Sequence, residues 1–171
     1  LSHGNGYTLT ELFAPKTFDV VVATQVLEHV ARMPRFINEV AAVLAPSGEA
    51  FFTLDSAHWR SRFDPRRPIR FLKNIAKKGL SLLGNERHYD LPWFDHEVAD
   101  ACRKAGLQVL DCRYYNLAPL KLLHNRIVPP EHRNELMRHW FSLEDWLNDQ
   151  GKVRDSAKHL FLCMYVHVCN K

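Results

Sequence analysis

Residues 17–30, TFDVVVATQVLEHV, decide the fold of this chain. Residues 18–23 are a continuous apolar run rich in valine, which is typical of a strand buried on both faces of a parallel sheet. The run then stops and is followed by polar side chains, Thr24, Gln25, Glu28 and His29. The sequence therefore predicts a buried strand with a polar loop at its carboxyl end.

A helix and a second strand follow this loop. After Pro34, apolar residues recur on one helical face: Phe36, Ile37, Val40, Ala41 and Leu44. The segment Pro46-Ser47-Gly48 should end that helix, and the apolar run EAFFTL, residues 49–54, is the second strand. A strand, helix, strand unit of this length favours parallel neighbouring strands, so the predicted fold class is α/β.

The rest of the chain adds a second helix and two more strands. Asp95 is placed to cap a helix that buries Val98, Ala101 and Cys102 and stops at Gly106. The run LQVLDCRY, residues 107–114, is strand-like, an amphipathic helix is predicted over 131–148, and 160–168 form the last strand.

Length and composition favour one domain in a reducing compartment. A chain of 171 residues with 46% hydrophobic residues can bury one core of ordinary size. It shows no signal-like segment and no apolar run of roughly 20 residues, so we expect a soluble, cytoplasmic protein. Its four cysteines are Cys102, Cys112, Cys163 and Cys169. Their spacing fits neither a C-x-x-C pair nor a set of metal ligands, so the sequence predicts no zinc site and no disulfide framework.

The formal charge of +4 is unevenly spread. Residues 57–78 carry eight basic side chains against one acid, Asp64: Arg60, Arg62, Arg66, Arg67, Arg70, Lys73, Lys77 and Lys78. Such a segment can hold an anionic small molecule, nucleic acid or the anionic surface of a membrane, and a plain solvated helix face is the alternative.

Two stretches resemble a known family. The order FDVVVATQVLEHV, then a helix ending EVAAVLAPSGEAFFTLDS, is similar to the class I S-adenosylmethionine-dependent methyltransferases. The run RHYDLPWFDHEVADACRKAGLQVLDCRYY resembles their closing helix and strand. The resemblance implies a Rossmann-like, mostly parallel sheet of seven strands with an antiparallel final strand and helices on both faces. It also implies S-adenosylmethionine as the cofactor and a small molecule as methyl acceptor.

The resemblance also implies roles for the polar loop. In that family the residues that match Ala23, Thr24 and Gln25 lie beside the donor's methionine end, and Leu27 helps to form the floor. His29 is a candidate base, because imidazole exchanges protons near neutral pH, and a structural histidine is the alternative. The pair Glu28-His29 is associated with a divalent metal in ubiquinone-pathway members, but two ligands do not make a site, so we predict no metal.

Five further residues are candidates for the acceptor side. His88 is a second possible base, and Tyr89 beside it would bind substrate at the mouth of the acceptor pocket. The alternative for this pair is a polar loop held by local hydrogen bonds. His58, Trp59 and Arg60 follow the second strand and could line the same pocket, although Trp59 could equally belong to the core.

One defining element of the family is absent from this sequence. The family's donor site begins with a strand and an acidic-x-Gly-x-Gly-x-Gly turn, and the only nearby glycines here are Gly4 and Gly6. We therefore expect a single, N-terminally truncated methyltransferase domain over 1–171 that binds the donor weakly or not at all. Its parts are a core (18–56), a basic insert or lid (57–94), a helix and strand (95–114), a helical insert (115–158) and the final strand (159–168).

Two other functions compete with small-molecule methyl transfer. The first is a catalytically inactive, methyltransferase-like scaffold whose basic insert engages an anionic partner. The second is nucleic-acid methylation, which is disfavoured because no Asn/Asp-Pro-Pro-aromatic turn follows residues 18–23. The helical insert could cover the acceptor pocket or mediate a dimer, and the oligomeric state is left open.

Overall fold

Four strands form one sheet within residues 5–59, 72 and 92–171, the part of the chain that the computed structural model describes. Their order across the sheet is β1-β2-β4-β3. β1 pairs with β2 in parallel, and β4 pairs antiparallel with both β2 and β3. The strands are β1 (Phe18–Thr24), β2 (Leu44–Asp55), β3 (Leu107–Leu117) and β4 (Phe161–Asn170).

Helices connect these strands. The α-helices whose bounds fall within the described residues are α1 (Leu9–Leu12), α2 (Met33–Val43), α3 (Asp95–Lys104), α4 (Ala118–Arg126), α5 (Arg133–Asp149) and α6 (Gly151–Ala157). Short 3₁₀ turns occur at Leu27–His29, Pro130–His132 and Lys158–Leu160. The α/β class, with a parallel pair and an antiparallel final strand, is confirmed.

The main core lies between the sheet and the helices α2 and α3. Ile37 of α2 and Val98 of α3 are fully buried, as are Phe52 of β2 and Val166 of β4. α2 and α3 also contact each other, so one face of the sheet is covered by a continuous apolar layer. Burying a side chain of this size contributes about 1.5–3 kcal/mol.

The prediction that β1 is buried on both faces is wrong for the described residues. Val20 and Val22 are 54% and 63% exposed. β1 is the outer strand of the described sheet, and no described element packs on these two valines. An apolar run alone cannot distinguish a strand covered on two faces from one covered on a single face.

The second strand begins earlier than predicted. β2 starts at Leu44, so Pro46-Ser47-Gly48 lies inside its irregular first part. The register with β1 shifts there, because Phe18 faces Leu44 whereas Val20 faces Glu49. Ser47 takes a positive φ of 61° within this irregular stretch.

Searching the described residues for a helix with the length and apolar character of a membrane span finds none.

Two side chains of α5 cover the outer edge of β3. The amide of Asn148 accepts a hydrogen bond from Tyr114 N and donates one to Tyr114 O, both at 2.8 Å. The carboxylate of Glu144 accepts one from Leu117 N at 2.6 Å. These bonds satisfy backbone groups that an edge strand would otherwise expose, and they fix α5 to the sheet.

We predict that Asn148→Ala lowers the free energy of unfolding by about 2–4 kcal/mol, because it leaves the buried N–H and C=O of Tyr114 without partners. Urea unfolding followed by circular dichroism measures this loss. Asn134→Ala, at an exposed position of the same helix, is the matched control and should change stability by less than about 0.5 kcal/mol. Equal effects of the two variants would contradict the prediction.

Candidate functional site

The candidate site lies where three parallel strands end. Because β4 runs opposite to its two neighbours, β3 points in the same direction as β1 and β2. The carboxyl ends of these strands therefore meet at one edge of the sheet, where open α/β folds bind their ligands. Thr24, Asp55 and Leu117 are the last residues of the three strands.

Gln25 links the two sides of this edge. Its backbone takes a left-handed φ of 54°, which is unusual outside glycine and costs of order 1 kcal/mol. Its N–H donates to Thr53 O at 2.8 Å, and its Nε2 donates to the hydroxyl of Tyr115 at 3.2 Å. The loop after β1 is thus held to the end of β3, three strands away in the sheet.

Tyr115 supplies a neutral hydroxyl to this edge. Burial, with a smaller contribution from the neighbouring Cys163, raises the pKa of Tyr115 to about 12. The phenol therefore stays protonated at neutral pH. It can orient a bound group by hydrogen bonding, and it is poorly suited to act as a base.

A second polar group lies between β2, β3 and β4. Asn116, at a positive φ of 68°, donates from Nδ2 to the sulfur of Cys163 at 3.7 Å. The Cys163 thiol donates to Asp55 Oδ1, also at 3.7 Å. Burial raises the pKa of Cys163, so this sulfur is a neutral thiol at neutral pH.

The residues predicted to contact the donor differ in how much of each is exposed to solvent. Thr24 is exposed and Gln25 is half-buried at the edge. Ala23 is only 6% exposed and Leu27 is fully buried, and Leu27 O accepts a hydrogen bond from Trp93 Nε1 at 2.9 Å. The structure brings Thr24 and Gln25 to the surface of the edge, with Ala23 and Leu27 beneath it. Donor contact by these four residues stays a prediction.

Glu28 and His29 share a 3₁₀ turn but differ in exposure. Glu28 is 2% exposed, whereas His29 is exposed to solvent. No group of three or more His, Cys, Asp or Glu side chains with metal-binding geometry occurs among the described residues. The role of His29 as a base stays a prediction.

His58 contacts the carboxylate of Asp95, the residue that the sequence predicts to cap a helix. Its Nε2 lies 3.0 Å from Asp95 Oδ1, while the other carboxylate oxygen, Oδ2, lies 3.2 Å from Lys158 Nζ and accepts a hydrogen bond from the Tyr114 hydroxyl. Asp95 is therefore not the helix cap, because α3 begins at Asp95 and Phe94 is the capping residue. Trp59, next to His58, is half-buried.

The Asp95 carboxylate is charged at neutral pH. Burial acts to raise its pKa, but hydrogen bonds from His58 and Tyr114 outweigh burial and hold the pKa of Asp95 well below its usual range. Burial and this same carboxylate raise the pKa of Tyr114. The cluster thus joins the segment after β2, the start of α3, β3 and the segment before β4.

Three candidates, Arg60, His88 and Tyr89, lie outside the described residues, as does most of the basic segment. Their proposed roles stay predictions.

Sequence analysis missed the contribution of β3 to this edge. Tyr115 and Asn116 lie just beyond the predicted strand end at residue 114, and Cys163 was considered only as a possible metal ligand or disulfide partner. The available signal was strand direction, because a strand parallel to β1 brings its last residues to the same edge.

Comparison with known proteins assigns the fold to a family. Residues 5–111 match the family model described as "Methyltransferase domain". The chain belongs to this methyltransferase family. The resemblance to class I S-adenosylmethionine-dependent methyltransferases is thereby confirmed.

One curated relative and two solved structures are informative. The ubiquinone biosynthesis O-methyltransferase of Coxiella burnetii (strain Dugway 5J108-111) is 26% identical over 106 residues, which are 61% of this chain and 42% of the relative. The chain thus spans less than half the length of that relative. A SAM-dependent methyltransferase from Methanosarcina mazei aligns with a TM-score of 0.57 at 13% identity, over 98% of this chain and 65% of its own.

The second solved structure, a SAM-dependent methyltransferase from Archaeoglobus fulgidus, has a TM-score of 0.55 at 11% identity, over 99% of this chain and 66% of its own. At these identities the two structures show that the methyltransferase domain and this chain share a fold.

We predict that Asp95→Asn lowers the free energy of unfolding by about 2 kcal/mol at pH 7, because the charge that holds His58 and Lys158 is removed. Asp100→Asn is the control, since Asp100 lies on the same helix with an exposed partner, Arg103. It should cost less than about 0.5 kcal/mol. Chemical denaturation distinguishes the two, and equal losses would contradict a special role for Asp95.

The stability difference between the native protein and Asp95→Asn should depend on pH. The folded pKa of Asp95 is lowered, so its contribution is complete above the unfolded value near 4 and is lost as the pH falls below that value. Between pH 5 and pH 3 the difference should shrink by about 1 kcal/mol. His58, Tyr114, Lys158 and His96 face this carboxylate. A difference that stays constant between pH 5 and pH 3 would contradict the assignment of this pH dependence to the Asp95 carboxylate.

Proposed function

We propose that this protein transfers a methyl group from S-adenosylmethionine to a small-molecule acceptor at the carboxyl edge of its sheet. The observation that carries the proposal is the hydrogen bond from Gln25 to Tyr115, which joins the ends of β1 and β3 in a chain of the methyltransferase family. The linked edge forms a defined wall against which two reactants can be aligned.

The residues of this edge fit one wall of a donor site. Thr24 is exposed and Gln25 is half-buried, so part of each residue can contact the amino-acid end of the donor. When bound, the donor supplies a sulfonium methyl group that an electron-rich acceptor atom attacks in line. The protein's task is then to align the acceptor and exclude water, which in well-oriented reactions supplies roughly 7–11 kcal/mol of the barrier reduction.

A base is needed only where the acceptor atom must lose a proton. His29 is our first candidate, because it is exposed on the turn that follows the donor wall, and His88 is the second. Oxygen is the acceptor atom to test first, since the C. burnetii relative is named as an O-methyltransferase.

Titration calorimetry with S-adenosylhomocysteine tests donor binding. We will compare this chain with the protein made from its complete open reading frame, and we expect Gln25→Asn to weaken binding about fivefold to tenfold. Asparagine tolerates the left-handed backbone but is too short to hold Tyr115 in the same way. Asn38→Ala, exposed on α2, is the control and should leave binding unchanged.

If neither protein binds S-adenosylhomocysteine, the enzymatic proposal fails. That result would favour the competing function, a scaffold that uses the basic segment from Arg60 to Lys78 on an anionic partner. Transfer of a labelled methyl group to phenolic and carboxylic small molecules by the same proteins then tests the reaction itself.

A further inference from the structure

A cavity of about 450 Å³ lies between the end of β3 and the helices α4 and α5. Its size falls within the range of small-molecule binding sites. Most of its surface comes from aromatic and apolar side chains, and one wall is polar. The residues used below are Tyr115, Lys121, His124, Met137, Trp140 and Phe141.

The cavity adjoins the candidate methyl-transfer edge through Tyr115. Tyr115 lines the cavity, and its hydroxyl accepts the hydrogen bond from Gln25 Nε2 at 3.2 Å. Asn116 also lines the cavity and is bonded to Cys163 of the edge. A molecule in the cavity would thus be one side chain away from the predicted donor wall.

The apolar part of the cavity is built for a flat ring. Trp140 and Phe141 both line it, and Trp140 is 7% exposed whereas Phe141 is 53% exposed. Met137, one turn before Phe141 on α5, completes the wall, and its flexible thioether adapts to different ring shapes. Trp146, the other tryptophan of α5, does not line this cavity and is 53% exposed.

The polar wall includes the cationic side chain of Lys121. Lys121 and His124 are one turn apart on α4, so they lie on the same side of that helix. Within the described residues Lys121 forms no ion pair. Glu144 also lines the cavity, and its Oε1 accepts hydrogen bonds from Leu117 N and Trp140 Nε1. Burial raises the pKa of this carboxyl, which disfavours its charged form.

We propose that this cavity binds the methyl acceptor and that the acceptor is an aromatic acid. This inference rests on the proposed function only where it identifies the ligand as the methyl acceptor. Binding of an aromatic acid to the cavity does not itself depend on methyl transfer. The ring lies against Trp140 and Met137, and its carboxylate contacts Lys121 and His124. The opposite side of the ring then faces the Tyr115 hydroxyl, beside the donor wall.

Three probes distinguish the contribution of the aromatic ring to binding from the contribution of the carboxylate. Calorimetry measures binding of 2-naphthoate, 2-naphthol and acetate to this chain without methyl donor. We expect 2-naphthoate to bind at least tenfold more tightly than either of the others. Lys121→Met should weaken 2-naphthoate about tenfold and leave 2-naphthol within twofold, because it removes the charge and keeps an apolar side chain of similar length.

Lys152→Met is the matched control, since Lys152 is exposed on α6 and does not line the cavity. It should leave both aromatic probes unchanged. Amide chemical shifts of the unmutated chain give a second readout, and 2-naphthoate should move those of Asn116, Lys121 and Met137. The proposal is overturned if 2-naphthoate does not bind, if the two lysine variants lose equal affinity, or if the shifted amides lie elsewhere.

The outcomes keep this inference apart from the proposed function. Binding of 2-naphthoate at the cavity, in a protein that binds no S-adenosylhomocysteine, would support the aromatic-acid site and reject methyl transfer. Binding of S-adenosylhomocysteine without binding of 2-naphthoate would support the proposed function and reject the aromatic-acid site.

Discussion

β4 runs antiparallel to both of its neighbours, β2 and β3. This direction makes β3 parallel to β1 although the two strands never touch. Across the sheet, Asp55 faces Cys163 and Cys163 faces Tyr115, so the ends of β2 and β3 are level. If β3 paired directly with β2 as a hairpin, Tyr115 would lie at the opposite edge, and neither its bond to Gln25 nor the cavity would exist in this form.

Two adjacent residues of β3 make contacts on opposite faces of the sheet. Side chains alternate along a strand, so Tyr114 and Tyr115 point in opposite directions. Tyr114 is buried and donates to Asp95, which also holds His58 and Lys158, whereas Tyr115 reaches the Gln25 loop and the cavity. The charged Asp95 cluster therefore holds β3 in place from one face of the sheet, and β3 positions the candidate site on the other face. Removing one partner from such a cluster leaves the others underpaired, which is why its cost exceeds that of a surface ion pair.

The fold was predictable where the pattern is local. The valine run of β1, the helical spacing after Pro34 and the run EAFFTL give a strand, helix, strand unit without tertiary information. What packs on a strand is a tertiary property, so the exposure of Val20 and Val22 was not predictable from the same run. Asp95 has the residue type and place of a helix cap, but the hydroxyl of Tyr114 and the ring of His58 compete for its carboxylate. Those partners are 19 and 37 residues away in sequence, and no short-range rule identifies them.

The cavity beside the carboxyl edge of the sheet could not be predicted for a related reason. The family match ends at residue 111, and every side chain that lines the cavity comes later in the chain. The matched part carries the ends of β1 and β2 and the Gln25 loop, whereas β3 ends beyond it, at Leu117. The cavity comes instead from the end of β3 and from the helices α4 and α5. α5 is attached to β3 through backbone groups of Tyr114 and Leu117. Asp145 and Asp149 of α5 also pair with Arg113 of β3, and Trp140 belongs to the core. Because these contacts do not involve Lys121 or Met137, those two residues can vary without releasing α5 from the sheet. The lining of the cavity can therefore change in this region while the Gln25 loop and the fold stay the same.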